Sequence, residues 1–261
     1  MLKQRIITAL ILAPLAIAAI FLLSPLAFGL LLASVMAVAA WEWAGLSGVN
    51  RAPLRAVFAF AVFISCLPVA FLSPGWEWLL AVLPLWILAF FWLSRAHLQP
   101  PGAVRLIFGW GILLATCTAI TLLQQSGPWY VILALALVAG ADVGAYFAGK
   151  AFGRHRLAPS ISPGKTWEGV AGGACLAILV AVAGAWFLDA RSMWAFSLAG
   201  VIAAVLSVGG DLVESILKRQ AGVKDSGRIL PGHGGLLDRM DSLLVAAPIL
   251  AIGLGLAGEL A

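Results

Sequence analysis

Apolar residues run along this chain in long blocks, interrupted by short polar breaks. A helix that crosses a bilayer needs about 20 apolar residues, within a range of roughly 17 to 25. Breaks fall at 24–25, 45–53, 73–75, 94–102, 124–128, 149–166, 189–192 and 215–241. They leave nine segments, near 6–23, 26–44, 54–72, 76–93, 103–123, 129–148, 167–188, 193–214 and 242–259. The pattern predicts an all-α polytopic membrane bundle of about nine helices. It divides into N-terminal transmembrane helices over 1–128, serving as scaffold and lipid-facing surface, and a C-terminal catalytic region over 129–261, which carries two polar loops at 149–166 and 215–241.

Composition agrees. The chain is 63% hydrophobic and 10% charged, whereas soluble domains are roughly a quarter charged and about half apolar. Water-soluble classes are thereby excluded. The net charge of +5 would suggest nucleic acid in a soluble protein, but here it follows the positive-inside rule. With the N-terminus cytoplasmic, the inner regions hold Lys3 and Arg5; Arg51 and Arg55; Arg95 and Arg105; Lys150, Arg154, Arg156 and Lys165; and Lys218, Arg219, Lys224, Arg228 and Arg239. Only Arg191 is left outside. A miscounted segment would scatter these charges over both faces, so the alternation predicts N-terminus in and C-terminus out.

The remaining features of the apolar blocks have structural readings. Lys3 and Arg5 before an apolar run resemble a signal peptide, but further apolar segments follow and the first is read as a retained helix. Cys66, Cys117 and Cys175 each stand alone in an apolar segment and are expected to be buried small hydrophobes without disulfides. Trp76, Trp78, Trp129 and Trp194 lie near segment ends, as interface anchors do. Gly140, Gly144 and Ala148 recur every four residues, a spacing that suits close helix packing. No internal repeat of the inverted-transporter kind is evident.

Chemistry is concentrated in the two polar loops, which the topology puts on one side of the membrane. Residues 215–241 crowd five basic residues and three aspartates into a Gly-rich stretch. Basic groups and glycine amides suit phosphate, and clustered carboxylates suit a hard metal ion. Asp211 closes the preceding segment and can approach Asp238. Mg²⁺ takes one or two protein carboxylates and completes its shell with water and substrate phosphates. Asp211 and Asp238 suit that pattern, with Asp241 and Asp225 behind them. Asp238 and Asp241, three apart, would share a face if helical. His233, flanked by Gly232, Gly234 and Gly235, permits close approach of backbone to phosphate. Asp142 is an acid inside a hydrophobic segment, where a carboxylate costs about 2.5–3.5 kcal/mol and normally faces a cavity or partner. In the other loop, Gly164-Lys165-Thr166 ends like a nucleotide phosphate loop, but Pro159 stands at the required first glycine and no strand is expected before it. Lys165 can still meet a phosphate as a point charge. Ser162-Pro163 reads as a helix N-cap with proline at the first position.

Residues Ser215, Lys218, Arg219, Lys224, Asp225, Gly227, Pro231, His233, Gly234, Gly235, Asp238, Arg239 and Asp241, in their spacing, together with the block from Ser162 to Gly169, resemble the phosphatidate cytidylyltransferase family, the CDP-diacylglycerol synthases. The likeness is close over the C-terminal half. It implies transfer of CMP from CTP to phosphatidic acid, giving CDP-diacylglycerol and pyrophosphate. It also implies a Mg²⁺ requirement, with a second cation an open matter, and a homodimer in a bacterial-type inner membrane whose site faces the cytoplasm. The family's metal carboxylates map onto Asp211 and Asp238. The expected catalytic set is Lys218, Arg219, Lys224, Asp225, Arg239 and Asp241. Ser162, Lys165, Thr166, Gly232, His233, Gly234 and Gly235 are expected to bind substrate, and Asp142 joins the candidates. The partners are CTP, phosphatidic acid and the bilayer, without nucleic acid. A CTP-dependent lipid kinase, an anion transporter and an inactive scaffold are the rival readings, in that order.

Overall fold

The computed structural model describes residues 2–260 apart from 73, 74, 96 and 231, with 2–7 and 9 described by backbone alone. The side chains of Lys3 and Arg5 and most of the break expected at 73–75 therefore lie outside the described residues. In chain order the elements are α1 (Leu2–Leu22), α2 (Pro25–Leu46), α3 (Ala52–Leu72), a 3-10 segment (Trp76–Val82) running into α4 (Leu83–Ser94), α5 (Gly102–Ser126) and α6 (Pro128–Phe152). A hairpin of β1 (Arg156–Ala158) and β2 (Ser162–Thr166) follows, then α7 (Trp167–Phe187), α8 (Met193–Gln220), a 3-10 turn (Leu237–Arg239) and α9 (Leu243–Leu256). Among the described residues, seven helical segments of 19–28 residues are long and apolar enough to cross a membrane. The apolar stretch Leu10–Leu22 of α1 and all of α9 are shorter.

Several helix starts have a local cause. Pro25 occupies the first turn of α2 and the Ser24 hydroxyl accepts from the Ala27 N–H at 3.3 Å, which satisfies a donor no helix can satisfy for itself. Ser192 caps α8 in the same way, accepting from Ala195 N–H at 3.4 Å. Pro128 opens α6.

The bundle is built around α5. In its most apolar stretch 72% of residues are buried inside the protein, against 56% for α8, 50% for α2 and 22–28% for the outer segments. Large hydrophobics on the outer helices, such as Leu179, Trp186 and Phe147, are exposed, which is how a protein surrounded by acyl chains can present itself. The closest helix pair is α6 with α7. A side chain on Gly144 would collide with the backbone of Gly172 and Gly173, so the small-residue spacing serves packing as expected. Trp78, Trp129 and Trp194 are exposed at helix ends, whereas Trp76 packs onto Gly255 of α9.

The fold is all-α as expected, with one small addition, a two-stranded antiparallel hairpin that sets Arg156 opposite Thr166 and Ala158 opposite Ser162. Four other expectations are corrected. A strand does precede Gly164-Lys165-Thr166, and the tripeptide is itself part of β2. Ser162 therefore caps nothing. The N-cap of α7 is Thr166, whose hydroxyl accepts from Gly169 N–H at 3.1 Å. Pro163 lies in an extended strand, where its fixed φ and missing N–H are equally well tolerated. Asp238 and Asp241 do not share an α-helical face, because only a single 3-10 turn forms there. Finally, Cys66 and Cys117 do not stand alone in space. Both are buried, and their thiols meet across the α3–α5 contact, while Cys175 is exposed.

Helix α8 runs six residues past the expected end of its segment. At 1.5 Å per residue its 28 residues span about 42 Å, so Lys218 and Arg219 stand on a helix and not in a loop. The end of α8 is tied to the neighbouring loops, with Gln220 Nε2 donating to Leu98 O at 2.8 Å and Arg219 Nε to Ile161 O at 3.5 Å. The basic segments around 51–55, 95–105, 150–165 and 218–239 are thus gathered at one end of the bundle. Arg191 lies at the other, where Ser192 N–H donates to Glu259 Oε1 at 3.2 Å.

Candidate active site

One turn of α8 after another aims polar groups at the same place. Asp211 and Ser215 are four apart, and the Ser215 hydroxyl donates to Asp211 Oδ1 at 3.2 Å. Glu214 and Lys218 are four apart and form an ion pair of 2.8 Å. Helical periodicity places these four on one face. That face lies between the hairpin on one side and the loop 221–241 on the other.

From the hairpin, β2 delivers Lys165, whose ammonium is 2.6 Å from Asp211 Oδ2 and donates to Val208 O at 3.4 Å. The hairpin is fastened to the helix ends. Glu168 accepts from the N–H groups of Arg154 and His155 at 3.1 and 3.2 Å and lies 2.6 Å from His155 Nδ1. Arg156 donates to Pro163 O at 2.6 Å.

From the loop comes Asp238. Its Oδ1 is 2.7 Å from the Lys218 ammonium. Its Oδ2 accepts from Ser226 N–H at 2.9 Å, the Ser226 hydroxyl at 3.0 Å and Gly235 N–H at 2.8 Å. Burial alone would raise this carboxyl; the Lys218 ammonium and the Gly235 and Ser226 amides outweigh it and hold Asp238 below the ordinary carboxylate value. Asp241 follows the opposite course. Burial, with the Asp211 charge adding, pushes its carboxyl up to about 6, although it accepts from Ser242 N–H at 2.7 Å. Lys165, Asp211, Asp241, Glu214, Lys218 and Asp238 thus form one continuous electrostatic chain.

The glycines have a structural role in the loop. Gly232 and Gly234 have φ of 78° and 83°, the left-handed region that side chains avoid. They close a tight turn in which Leu230 N–H donates to Gly234 O at 3.0 Å and His233 N–H to Leu230 O at 2.9 Å. A Cβ on Gly234 would press on Asp238, and one on Gly235 would overlap the Ser226 hydroxyl and the carboxylate of Glu42. The amides of His233 and Gly235 point inward to protein acceptors, so the glycines primarily let the loop close over two carboxylates.

Two clefts flank this chain. One of about 210 Å³ lies between α6, α7, α8 and β2; Asp142, Tyr146, Lys165, Thr166 and Gly173 are among its walls. Asp142 there lies within electrostatic range of Asp211 and Lys165. The other, of about 460 Å³, opens over the loop beside Asp225, Arg228, Gly232, His233 and Arg239. Lys224, Arg228 and Arg239 are exposed around it, and His233 Nδ1 is buried without a hydrogen-bond partner among the described residues. Ser162 lies on β2 and Thr166 caps α7, so these two reach the site through the hairpin. Lys218, expected to neutralise phosphate, is instead held between Glu214 and Asp238.

Sequence reading missed Glu42 of α2. It is 3% exposed and accepts from Leu236 N–H at 3.2 Å, Leu237 N–H at 2.8 Å and the Ser226 hydroxyl at 3.2 Å. The available signal was a lone acid inside a hydrophobic block.

As oxygen donors, Asp211 and Asp238 have the chemistry of hard-cation ligands. Asp238 Oδ2 meets two amides and the Ser226 hydroxyl, while Asp238 Oδ1 and Asp211 Oδ2 each lie against a lysine ammonium, at 2.7 and 2.6 Å. No cluster of three or more carboxylate, histidine or cysteine ligands forms among the described residues, and Mg²⁺ needs only one or two.

Comparison with known proteins places this arrangement in a family. The model of the Cytidylyltransferase family matches residues 3–256. A phosphatidate cytidylyltransferase of Pseudomonas aeruginosa is 43% identical over 99% of this chain and 98% of its own. One of Haemophilus influenzae is 35% identical over 95% and 96%, and one of Brucella suis 33% over 95% and 92%. The match runs through the transmembrane helices as well as the acid–lysine chain, and the protein belongs to the cytidylyltransferase family of nucleotidyltransferase enzymes.

Proposed function

We propose that this protein is a membrane-embedded phosphatidate cytidylyltransferase. The phosphatidate phosphate oxygen attacks the α-phosphorus of CTP, an O–P bond forms, the bond between the α-phosphorus and the bridging oxygen breaks, and pyrophosphate leaves. The observation that carries the reading is the continuous chain of carboxylates and lysines between two clefts, one polar and one opening among apolar helix faces. The transfer needs that division, because one substrate is a nucleotide and the other a lipid.

A phosphate monoester is largely dianionic at pH 7, so the nucleophile needs no general base. The obstacle is the meeting of two polyanions, and fixed charge answers it. Lys224, Arg228 and Arg239 line or rim the polar cleft, where they meet the triphosphate. Gly232 and His233 sit in its wall, and the buried Nδ1 of His233 is a polar atom awaiting a ligand partner. Lys165, at the mouth of the cleft between α6, α7 and α8, meets the lipid phosphate where the two substrates converge. Ser162, Thr166 and Arg219 hold the hairpin and α8 at that junction. Asp211 and Asp238 would hold Mg²⁺, with Asp241 behind them and Asp142 and Asp225 at the margins of the two clefts. Bound there, the cation would supply Lewis-acid stabilisation of the transferring phosphoryl group. The site faces the cytoplasm of a bacterial-type inner membrane and the functional unit is a homodimer; the one-sided gathering of basic loops supports the first of these.

The test is a product assay on purified protein in mixed micelles with phosphatidic acid, labelled CTP and Mg²⁺. CDP-diacylglycerol with stoichiometric pyrophosphate, abolished by EDTA, is expected. CDP with a newly phosphorylated lipid would replace the reading by a lipid kinase.

A further inference from the structure

Glu42 belongs to the half of the chain without signature residues, yet it is bound to the signature loop. A buried carboxylate is costly unless it is paired or well hydrogen-bonded. Among the described residues no lysine or arginine forms an ion pair with it, and its two oxygens are served by three donors from 226–237. These come from the same short run that serves Asp238. Ser226 contacts both acids through its hydroxyl, and Gly235, Leu236 and Leu237 donate successive amides, the first to Asp238 and the next two to Glu42. A hydroxyl carries one hydrogen, so Ser226 serves one carboxylate at a time. Gly227 and Gly235 lack side chains where a Cβ would overlap Glu42. The loop is shaped to receive it.

We infer that Glu42 is a positioning residue for the transfer reaction: it clamps the loop 226–237 onto α2 and thereby fixes the direction in which Asp238 Oδ1 and Lys218 point. The inference rests on the proposed function for its kinetic consequence, but the clamp itself does not. Position matters on this scale, because a displacement of about 1 Å can cost on the order of 100-fold in rate.

Glu42→Gln keeps the shape and removes the charge. It places an NH₂ group against at least one donor that now meets an acceptor. In the full-length protein, hydrogen exchange at the Leu236 and Leu237 amides should accelerate at least tenfold in this variant. The Mg²⁺ concentration for half-maximal rate should rise and kcat fall together, on the order of 10- to 100-fold, at unchanged melting temperature of the bundle. Glu42→Asp, one methylene shorter but still anionic, should recover part of both. Ser226→Ala, which removes one of the three bonds, should show the same exchange change more weakly and provides the test if Glu42→Gln does not fold. Unchanged exchange at 236–237 in either variant would overturn the clamp. So would a loss of activity that follows loss of folded protein alone, with the Mg²⁺ dependence unmoved. If the unmodified protein made no CDP-diacylglycerol, the proposed function would fall, and the exchange measurement would still decide whether Glu42 holds the loop.

Discussion

At the scale of single residues, the two loop carboxylates behave differently because their surroundings differ. Asp238 has two amides and a hydroxyl it shares with Glu42 on one oxygen, and an ammonium on the other. Replacing it with Asn removes the charge that Lys218 pairs with and a ligand oxygen for the cation. Asp238→Asn is expected to reduce turnover at least 1000-fold while the protein stays monodisperse in detergent; activity near that of the parent would remove Asp238 from the metal site. Asp241 is buried beside Asp211, with its carboxyl raised to about 6. The folded protein therefore holds that proton more tightly than the unfolded chain. Its favourable contribution is complete below the ordinary carboxylate range and disappears as pH rises through about 6. In EDTA, Asp241→Asn should gain stability relative to the parent between pH 5 and pH 7, by at most about 3 kcal/mol. Melting curves of the two proteins at both pH values measure the difference. A gap that does not change with pH would show that the ionisation of Asp241 is not the cause.

At the scale of elements, the hairpin is the piece that hydrophobic patterning could not see. It is short, polar and held by Glu168, Arg156 and the Thr166 cap rather than by an apolar face. Thr166→Ala should cost about 1 kcal/mol of stability and Thr166→Ser much less. The accompanying loss of hairpin order should raise the KM for CTP or phosphatidic acid more than it lowers kcat, because Lys165 rides on β2. Unaltered KM values for both substrates would separate the hairpin from binding. The α6–α7 contact gives an independent check of the packing. Gly144 lies against the Gly172 carbonyl, and Gly144→Leu is expected to destabilise the bundle by about 1–3 kcal/mol through overpacking, seen as a lower melting temperature in detergent.

At the scale of the whole molecule, the basic loops meet at one end and Arg191 lies at the other. In a background without native cysteines, Lys224→Cys should resist a membrane-impermeant maleimide in intact cells, while Asp189→Cys should react. The reverse pattern would invert the proposed orientation and set the site apart from cytosolic nucleotide.

The helical segments were legible because the length and hydrophobicity a bilayer demands are properties of contiguous residues, and eight polar breaks marked them. The residues of the C-terminal site were legible because a dense run of acids, bases and glycines has no use in hydrocarbon. Their partnerships were not. The sequence showed Lys218 as a free charge for phosphate, and folding placed it between Glu214 and Asp238. It showed glycines as a phosphate cradle but not that Gly234 and Gly235 also make room for Asp238 and Glu42. It showed Glu42 only as an isolated acid in an early helix and Cys66 and Cys117 as unrelated thiols. Each of these depends on which helix lies beside which, and apolar faces in a bilayer encode that choice weakly, since a lipid tail and a leucine are nearly equivalent neighbours. The sequence by itself determined the apolar helical character of the chain, the gathering of its basic residues and the stretch proposed to carry chemistry. The tertiary structure alone decided which donors each carboxylate meets, because those partners lie up to 195 positions apart, as Glu42 and Leu237 do.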